Sequence, residues 1–179
     1  TMDKRMILIL GLVLALVITT VASAASVEPQ QFPNLQLGDA AHYCVTTLGY
    51  DWGLKIEDWG GPGGSDDPAD LNGPFKGAYD SQGMLHEDYE NVITLTNATR
   101  LKFDFASDPY AIYAVVVQGV SFDNIFFYSH PVYAPDGEPV ISDNYLFPYD
   151  NPATKKVEDI SHISFCWNRT GEDDDDDDD

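Results

Sequence analysis

The stretch NVITLTNATRLKFDFA, residues 91–106, decides the fold class. Apolar and polar residues alternate from Asn91 to Thr96, and they alternate again from Arg100 to Ala106. A period of two is typical of a β-strand that buries one face and exposes the other. The short segment Asn97–Thr99 between the two runs suits a tight turn, so the pattern predicts an antiparallel pair of strands.

Working outward from this pair, the same criteria predict further short strands separated by turns. The predicted strands are His42–Thr47, Leu54–Trp59, Ile112–Gly119, Ile125–Ser129, Asp143–Tyr149 and Asp159–Asn168. Gly60–Gly73 is too rich in Gly, Pro and Asp for a strand interior, and Pro74–Glu90 is left open between a short strand and a helical turn. The segment Pro135–Gly137 predicts a turn in which glycine supplies a positive φ. About eight short strands without helices predict an all-β, antiparallel two-sheet sandwich of jelly-roll or immunoglobulin-like type.

The N-terminal segment 1–24 has the features of a secretory signal peptide. Lys4 and Arg5 precede an uncharged run from Met6 to Ala22, and Ala22-Ser23-Ala24 forms a small-residue cleavage pattern. This order of charged, apolar and small residues is what signal peptidase substrates share. The alternative is an uncleaved membrane anchor, because the run is close to the shortest length that spans a bilayer. Either interpretation predicts a secreted, extracellular or cell-surface domain.

The rest of the chain divides by composition into three parts. We expect a leader at 25–39, the β-sandwich domain at 40–170 and an acidic low-complexity tail at 171–179. A tract of aspartates cannot bury a core, so the tail is expected to be disordered. Thr1 precedes Met2 and the sequence stops inside the aspartate run, so we expect a piece of a longer protein that carries a stalk, a further domain or an anchor.

The charge of the chain is strongly one-sided. Nine Lys and Arg face thirty Asp and Glu, for a formal net charge of −21. A nucleic-acid partner needs a basic surface, and an anionic membrane surface also attracts basic segments. We therefore expect no nucleic-acid partner, and contact with a membrane only through the signal segment or a missing anchor.

The two cysteines, Cys44 and Cys166, lie close to the two ends of the predicted domain. An exported chain meets an oxidising environment, and an even cysteine count suggests pairing. The sequence therefore predicts a Cys44–Cys166 disulfide that ties the first strand to the last. The alternative is two buried free thiols.

A search for catalytic or metal-binding patterns finds no convincing active site. The histidines His42, His86, His130 and His162 have no zinc-ligand spacing. Ser161 and His162 are adjacent, and because neighbours on a strand point to opposite faces, we expect them not to form a hydrolase pair and expect His162 to be a buried structural residue. The chain contains neither a nucleophile-elbow motif nor a phosphate-binding glycine loop.

Two kinds of binding site remain as alternatives. Calcium could use the oxygen atoms crowded into one loop, although their spacing departs from the EF-hand; these are Asp66, Asp67, Asp70 and Asn72. Carbohydrate could stack on exposed aromatic rings such as Trp52 and Trp59 beside that loop. Asn97 and Asn168 each begin an N-glycosylation sequon, a pattern that also arises often by chance.

Several motifs in the second half resemble a secreted module of archaeal and Gram-positive surface proteins. They are Ala114–Gly119 (AVVVQG), Asn124 with Phe126 and Tyr128, and Asp159–Cys166 (DISHISFC). The module's pattern is A-V-V-V-K-G-G, then N-x-Y-x-Y, then I-S-H-I-x-F-C, and Gln118 and Val120 depart from it. The resemblance covers Ile112–Trp167 and implies a β-sandwich in which an early cysteine pairs with the C-terminal one; it implies no catalytic residues.

Together these observations predict a non-catalytic structural or adhesive module displayed outside the cell. Its expected partner is a surface ligand or a component of the cell envelope. A carbohydrate- or calcium-binding module of a secreted protein is the alternative, and a secreted enzyme is a third and weaker hypothesis. No cofactor is expected apart from the calcium named above.

Overall fold

The computed structural model describes residues 25–33, 40–57, 71–119, 121–151 and 156–169, with the backbone alone for 40–42 and 151. The predicted signal peptide, most of the Gly60–Gly73 loop and the acidic tail lie outside these residues. The regular secondary structure within them is almost entirely β-strand, as predicted, and the strands form antiparallel sheets. No helix of the described part is long and apolar enough to span a membrane.

The larger sheet has seven strands in the order β1-β9-β8-β13-β2-β4-β5. Their bounds are β1 Gln30–Pro33, β2 Trp52–Ile56, β4 Ala78–Tyr79, β5 Leu85–His86, β8 Ala114–Gln118, β9 Phe122–Phe127 and β13 His162–Trp167. The second sheet has four strands in the order β10-β7-β6-β3. Their bounds are β3 Gly73–Lys76, β6 Val92–Thr99, β7 Lys102–Asp108 and β10 Ser142–Leu146. A separate pair joins β11 (Asp150–Asn151) to β12 (Lys156–Val157), and one helix, α1, spans Ala40–Thr46.

The two main sheets pack face to face over one hydrophobic core. Phe103 and Phe105 of β7 contact Phe165 of β13 with ring centroids 6.3 and 5.1 Å apart. All three side chains are buried, and alternate residues of the neighbouring strands surround them. Aromatic pairs of this geometry add to the large apolar area that each ring removes from water.

The predicted hairpin is confirmed as β6 and β7, but its turn lies later in the chain. The strands continue through the predicted turn at Asn97–Thr99 and reverse at Arg100 and Leu101. The pairing shifts register between Thr96 and Thr99, which adds one residue to β6. A β-bulge can absorb such a residue without ending the strand, so the irregular segment looks like a turn in the sequence.

The prediction of a first strand at His42–Thr47 is wrong, because this segment forms α1. The helix begins with two alanines, the best helix formers, and Gly49 adopts φ +77° just beyond its end. The backbone N–H groups of Thr47 and Leu48 both donate to the carbonyl of Tyr43, which closes the last turn. A short apolar run fits a strand or a helix equally well by periodicity alone.

The strand predicted at Leu54–Trp59 is β2, which begins earlier and buries both faces. Helix α1 covers the face of β2 that was expected to be wet, so only Lys55 within the strand stays partly exposed. The segment left open at Pro74–Glu90 contains the short strands β3, β4 and β5. Their few residues carry too little alternation to identify them in the sequence.

The predicted turn at Pro135–Gly137 is present, but glycine serves another purpose there. Gly137 does not have a positive φ. A Cβ atom at Gly137 would lie 1.9 Å from the carbonyl oxygen of Tyr128, so the close approach of two backbone segments requires a residue without a side chain.

The predicted leader at 25–39 contains part of the fold. Strand β1 pairs with β9 at the edge of the seven-stranded sheet. Upstream of it, Ala25 and Val27 pack against the main core, and the backbone N–H of Ser26 donates to the carboxylate of Asp143 at 2.9 Å. The described N-terminal residues are therefore anchored to both sheets.

Candidate functional site

A disulfide joins the single helix of the described residues to the last strand. Cys44 of α1 and Cys166 of β13 are bonded, with Cα atoms 5.3 Å apart and a sequence separation of 122. Both are fully buried. The predicted pairing is therefore confirmed, although it ties a helix rather than a first strand to the last strand. We call this link, with α1 and β13, the disulfide clasp.

A second, smaller core surrounds the disulfide clasp on the outer face of the seven-stranded sheet. Its buried members are Tyr43, Cys44, Tyr50, Ala114, Val116, Ile125, Phe127 and Cys166. Because side chains alternate along β13, Cys166 points into this outer core while Phe165 and Trp167 point into the sandwich.

Ser161 and His162 meet, contrary to the expectation from strand geometry. Ser161 Oγ lies 3.0 Å from His162 Nδ1. Ser161 precedes the first residue of β13, so the alternation of a regular strand does not apply to it. A serine hydrolase also needs a third group that orients the imidazole, and the buried His162 Nε2 has no hydrogen-bond partner among the described residues. The pair alone does not form a catalytic triad.

The imidazole of His162 is held in its neutral form. The pKa of His162 is lowered to about 4, mainly by burial and then by the nearby Lys55 ammonium, while the carboxylate of Glu57 acts in the opposite direction. The side chain is half-buried, next to the Lys55–Glu57 ion pair of the neighbouring strand. His162 is thus a structural residue on the described geometry, although less buried than predicted.

We expect the stability of the domain to rise with pH between about 4 and 6.5 because of His162. In that window the unfolded histidine binds a proton that the folded one does not, so acidification favours unfolding. Because the side chain is partly exposed, we expect a contribution of only about 1 kcal/mol across the window. Urea unfolding of wild type and His162→Gln at several pH values checks this. The comparison is clearest above about pH 5, where ordinary carboxylates are ionised. If the free energy of unfolding of His162→Gln rose with pH as steeply as that of wild type, the assignment to His162 would be contradicted.

The calcium hypothesis finds no support among the described residues. Asp66, Asp67 and Asp70 lie outside them, and the side-chain oxygen of Asn72 accepts a hydrogen bond from the backbone N–H of Ala98 at 3.0 Å. In the residues that the structure describes, no group of three His, Cys, Asp or Glu side chains could hold a metal ion.

Trp52 is not the exposed carbohydrate platform that the sequence suggested. Only 5% of its surface is exposed. Its indole packs on Tyr89 at a centroid distance of 4.4 Å, and the guanidinium of Arg169 lies 5.3 Å from the ring centroid. Trp59 lies outside the described residues.

The two sequon asparagines differ in their surroundings. Asn97 is exposed near the end of the β6–β7 hairpin. Asn168 is half-buried, and its side-chain oxygen accepts a hydrogen bond from the backbone N–H of Asp51 at 3.1 Å.

The remaining described histidines have local partners. His86 Nε2 lies 2.9 Å from Asp80 Oδ2, and this contact lowers the pKa of Asp80. His130 Nδ1 accepts a hydrogen bond from the backbone N–H of Val132 at 3.1 Å. Both contacts stabilise turns and leave the two histidines apart from His162.

Comparison with protein-family models, with curated proteins and with solved structures found no match to this chain. The arguments for its function therefore come from its own residues.

Proposed function

We propose that this protein is an exported structural module of the cell surface, without catalytic activity. The observation that carries the proposal is the disulfide clasp. Disulfides persist in oxidising compartments and are rare in the cytosol, so a fold built around a buried disulfide suits a protein outside the cell. The signal-peptide pattern at 1–24 supports the same location.

The position of the disulfide clasp suits a module that carries tension between its two ends. A force that enters before Cys44 and leaves after Cys166 passes through the disulfide, so the chain between the two cysteines is not stretched. Only the chain outside the clasp, such as β1 on one side and Asn168 and Arg169 on the other, can be pulled away. A stalk or wall-attached protein needs this behaviour, whereas a freely diffusing protein does not.

Other features agree with a surface module. The chain passes from one sheet to the other after β2, β3, β5, β7, β9 and β10, which supports the jelly-roll or immunoglobulin-like arrangement and the resemblance to secreted surface modules. The net charge of −21 favours solubility and repulsion between neighbouring copies. A component of the cell envelope or another surface molecule is the proposed partner.

Export and disulfide formation can be tested together by mass spectrometry. The sample is protein that has been secreted by means of its own signal segment. We expect an intact mass that lacks residues 1–24, and no alkylation of Cys44 or Cys166 in the denatured protein unless a reductant is added. A variant with a large charged residue at the cleavage site, Ala24→Glu, is the matched control and should keep the N-terminal segment. Protein that stays inside the cell, or two thiols that react without reductant, would contradict the proposal.

A further inference from the structure

Two β-bulges flank the same short segment of β7. On one side, β6 carries one extra residue between Thr96 and Thr99; on the other, the pairing of β10 shifts between Asp143 and Leu146. Bulges re-aim side chains and are common beside binding sites. Here both lie next to Lys102–Asp104, at the end of the four-stranded sheet where the β6–β7 hairpin turns.

Each bulge holds a non-glycine residue at positive φ. Asn97 has φ +53° and Tyr145 has φ +61°. Asparagine tolerates this conformation, but for a bulky aromatic residue it is a genuine outlier. Such residues persist where the surrounding structure determines them, and they cluster at functional sites.

A single carboxylate holds both residues in place. Asp104 Oδ2 accepts a hydrogen bond from Asn97 Nδ2 at 2.5 Å, and Asp104 Oδ1 accepts one from the backbone N–H of Tyr145 at 2.7 Å. The Nζ atom of Lys102 lies 4.6 Å from the centroid of the Tyr145 ring. The aromatic ring is thus positioned by its backbone and by the ammonium group, rather than left as a free surface side chain.

These residues line an open groove of about 390 Å³, which we call the double-bulge groove. Its lining consists of Asn97, Ala98, Thr99, Lys102, Asp104 and Tyr145. Tyr145 is 40% exposed, so part of its ring is available to a ligand. The positive charge of Lys102 and the negative charge of Asp104 offset one another, which favours a polar but uncharged ligand.

We propose that the double-bulge groove binds a neutral pyranose saccharide. A pyranose has an apolar C–H face that can lie against an aromatic ring, and hydroxyls at its rim that suit amide, hydroxyl and ammonium groups. The inference goes beyond the proposed structural function and uses none of the residues of the disulfide clasp. A hexose is a small ligand of about twelve heavy atoms, so we expect a Kd in the millimolar range.

The test uses two-dimensional NMR of the oxidised domain titrated with glucose, galactose, mannose and N-acetylglucosamine. We expect at least one of the four sugars to shift the signals of Asn97, Lys102 and Tyr145 in a saturable way. No saturable shift at these residues with any of the four sugars would overturn the proposal.

Variants separate a saccharide site from a merely structural role of the same residues. Tyr145→Asn removes the ring but tolerates positive φ, so it should fold with a melting temperature no lower than wild type and bind the sugar at least about tenfold more weakly. Tyr133 is also 40% exposed and lies outside the groove, so Tyr133→Ala is the matched control and should bind as wild type. Equal binding by Tyr145→Asn and wild type, or equal losses in the two variants, would overturn the proposal.

Discussion

Replacing both cysteines with alanine, Cys44→Ala with Cys166→Ala, is expected to lower the free energy of unfolding by about 4–5 kcal/mol. The disulfide closes a loop of 122 positions, and cross-linking so long a loop removes much conformational entropy from the unfolded chain. Alanine is preferred to serine because both sites are fully buried and a hydroxyl would need a partner there. Urea unfolding at equilibrium, without reductant, measures the change.

The reductant supplies the control for this prediction. Wild type should lose most of the same stability when it is unfolded in the presence of a reductant, whereas the double variant should show no response to reductant. A loss below about 1 kcal/mol in the double variant would mean that the packing of α1 on β13, rather than the covalent link, holds these elements together.

Asp143→Ala is the second substitution with a large expected effect. Asp143 is only 4% exposed, and its carboxylate accepts hydrogen bonds from the Tyr128 hydroxyl at 2.8 Å and the Ser26 backbone N–H at 2.9 Å. Removing it leaves at least two donors without a partner at about 1–3 kcal/mol each, so we expect a loss of about 3–5 kcal/mol. Thermal or urea unfolding measures it.

Two further variants test the origin of that loss. Burial and the neighbouring Asp143 raise the pKa of Tyr128, so its hydroxyl stays protonated and donates to Asp143. Tyr128→Phe deletes this donor and should lower the free energy of unfolding by about 1–2 kcal/mol. Asp136 is exposed in a turn, so Asp136→Ala should change stability by less than about 0.5 kcal/mol. Similar effects of Asp143→Ala and Asp136→Ala would contradict the buried hydrogen-bond network.

Asp143 also links the proposed processing to the fold. Ser26, which donates to this carboxylate through its backbone N–H and its hydroxyl, follows the expected cleavage position by two residues. Cleavage after Ala24 would place a new α-ammonium group on Ala25, the residue next to Ser26. A positive charge close to the Asp143 carboxylate would favour the docked N-terminal segment.

The strands that could be predicted from the sequence are those with a clear period of two. In the pair 91–106, residues Ile93 and Leu95 of β6 and Phe103 and Phe105 of β7 all point into the core, so alternation was a sufficient signal. Helix α1 was missed because its apolar residues are too few to distinguish a period of two from one of 3.6. The glycine that follows it, Gly49, was the available signal for a helix end.

The disulfide could be predicted because an even cysteine count and a signal-peptide pattern can both be seen in the sequence. The double-bulge groove could not, because a bulge is a shift of one residue that no motif records. A trace of it remains in the hydrophobic pattern: the buried positions move from Ile93 and Leu95 to Ala98, which breaks the alternation at Asn97. The positive φ of Tyr145 left no trace in the sequence, since tyrosine is rare in that conformation.

Single-molecule stretching between the two ends of the domain tests the central claim most directly. Without reductant, the disulfide clasp should confine extension to the residues outside Cys44 and Cys166. With reductant, unfolding should release a further contour length of about 400 Å, since 122 positions extend by about 3.3–3.6 Å each. Release of that length without reductant would contradict the claim that the disulfide keeps the chain between the two cysteines from being stretched.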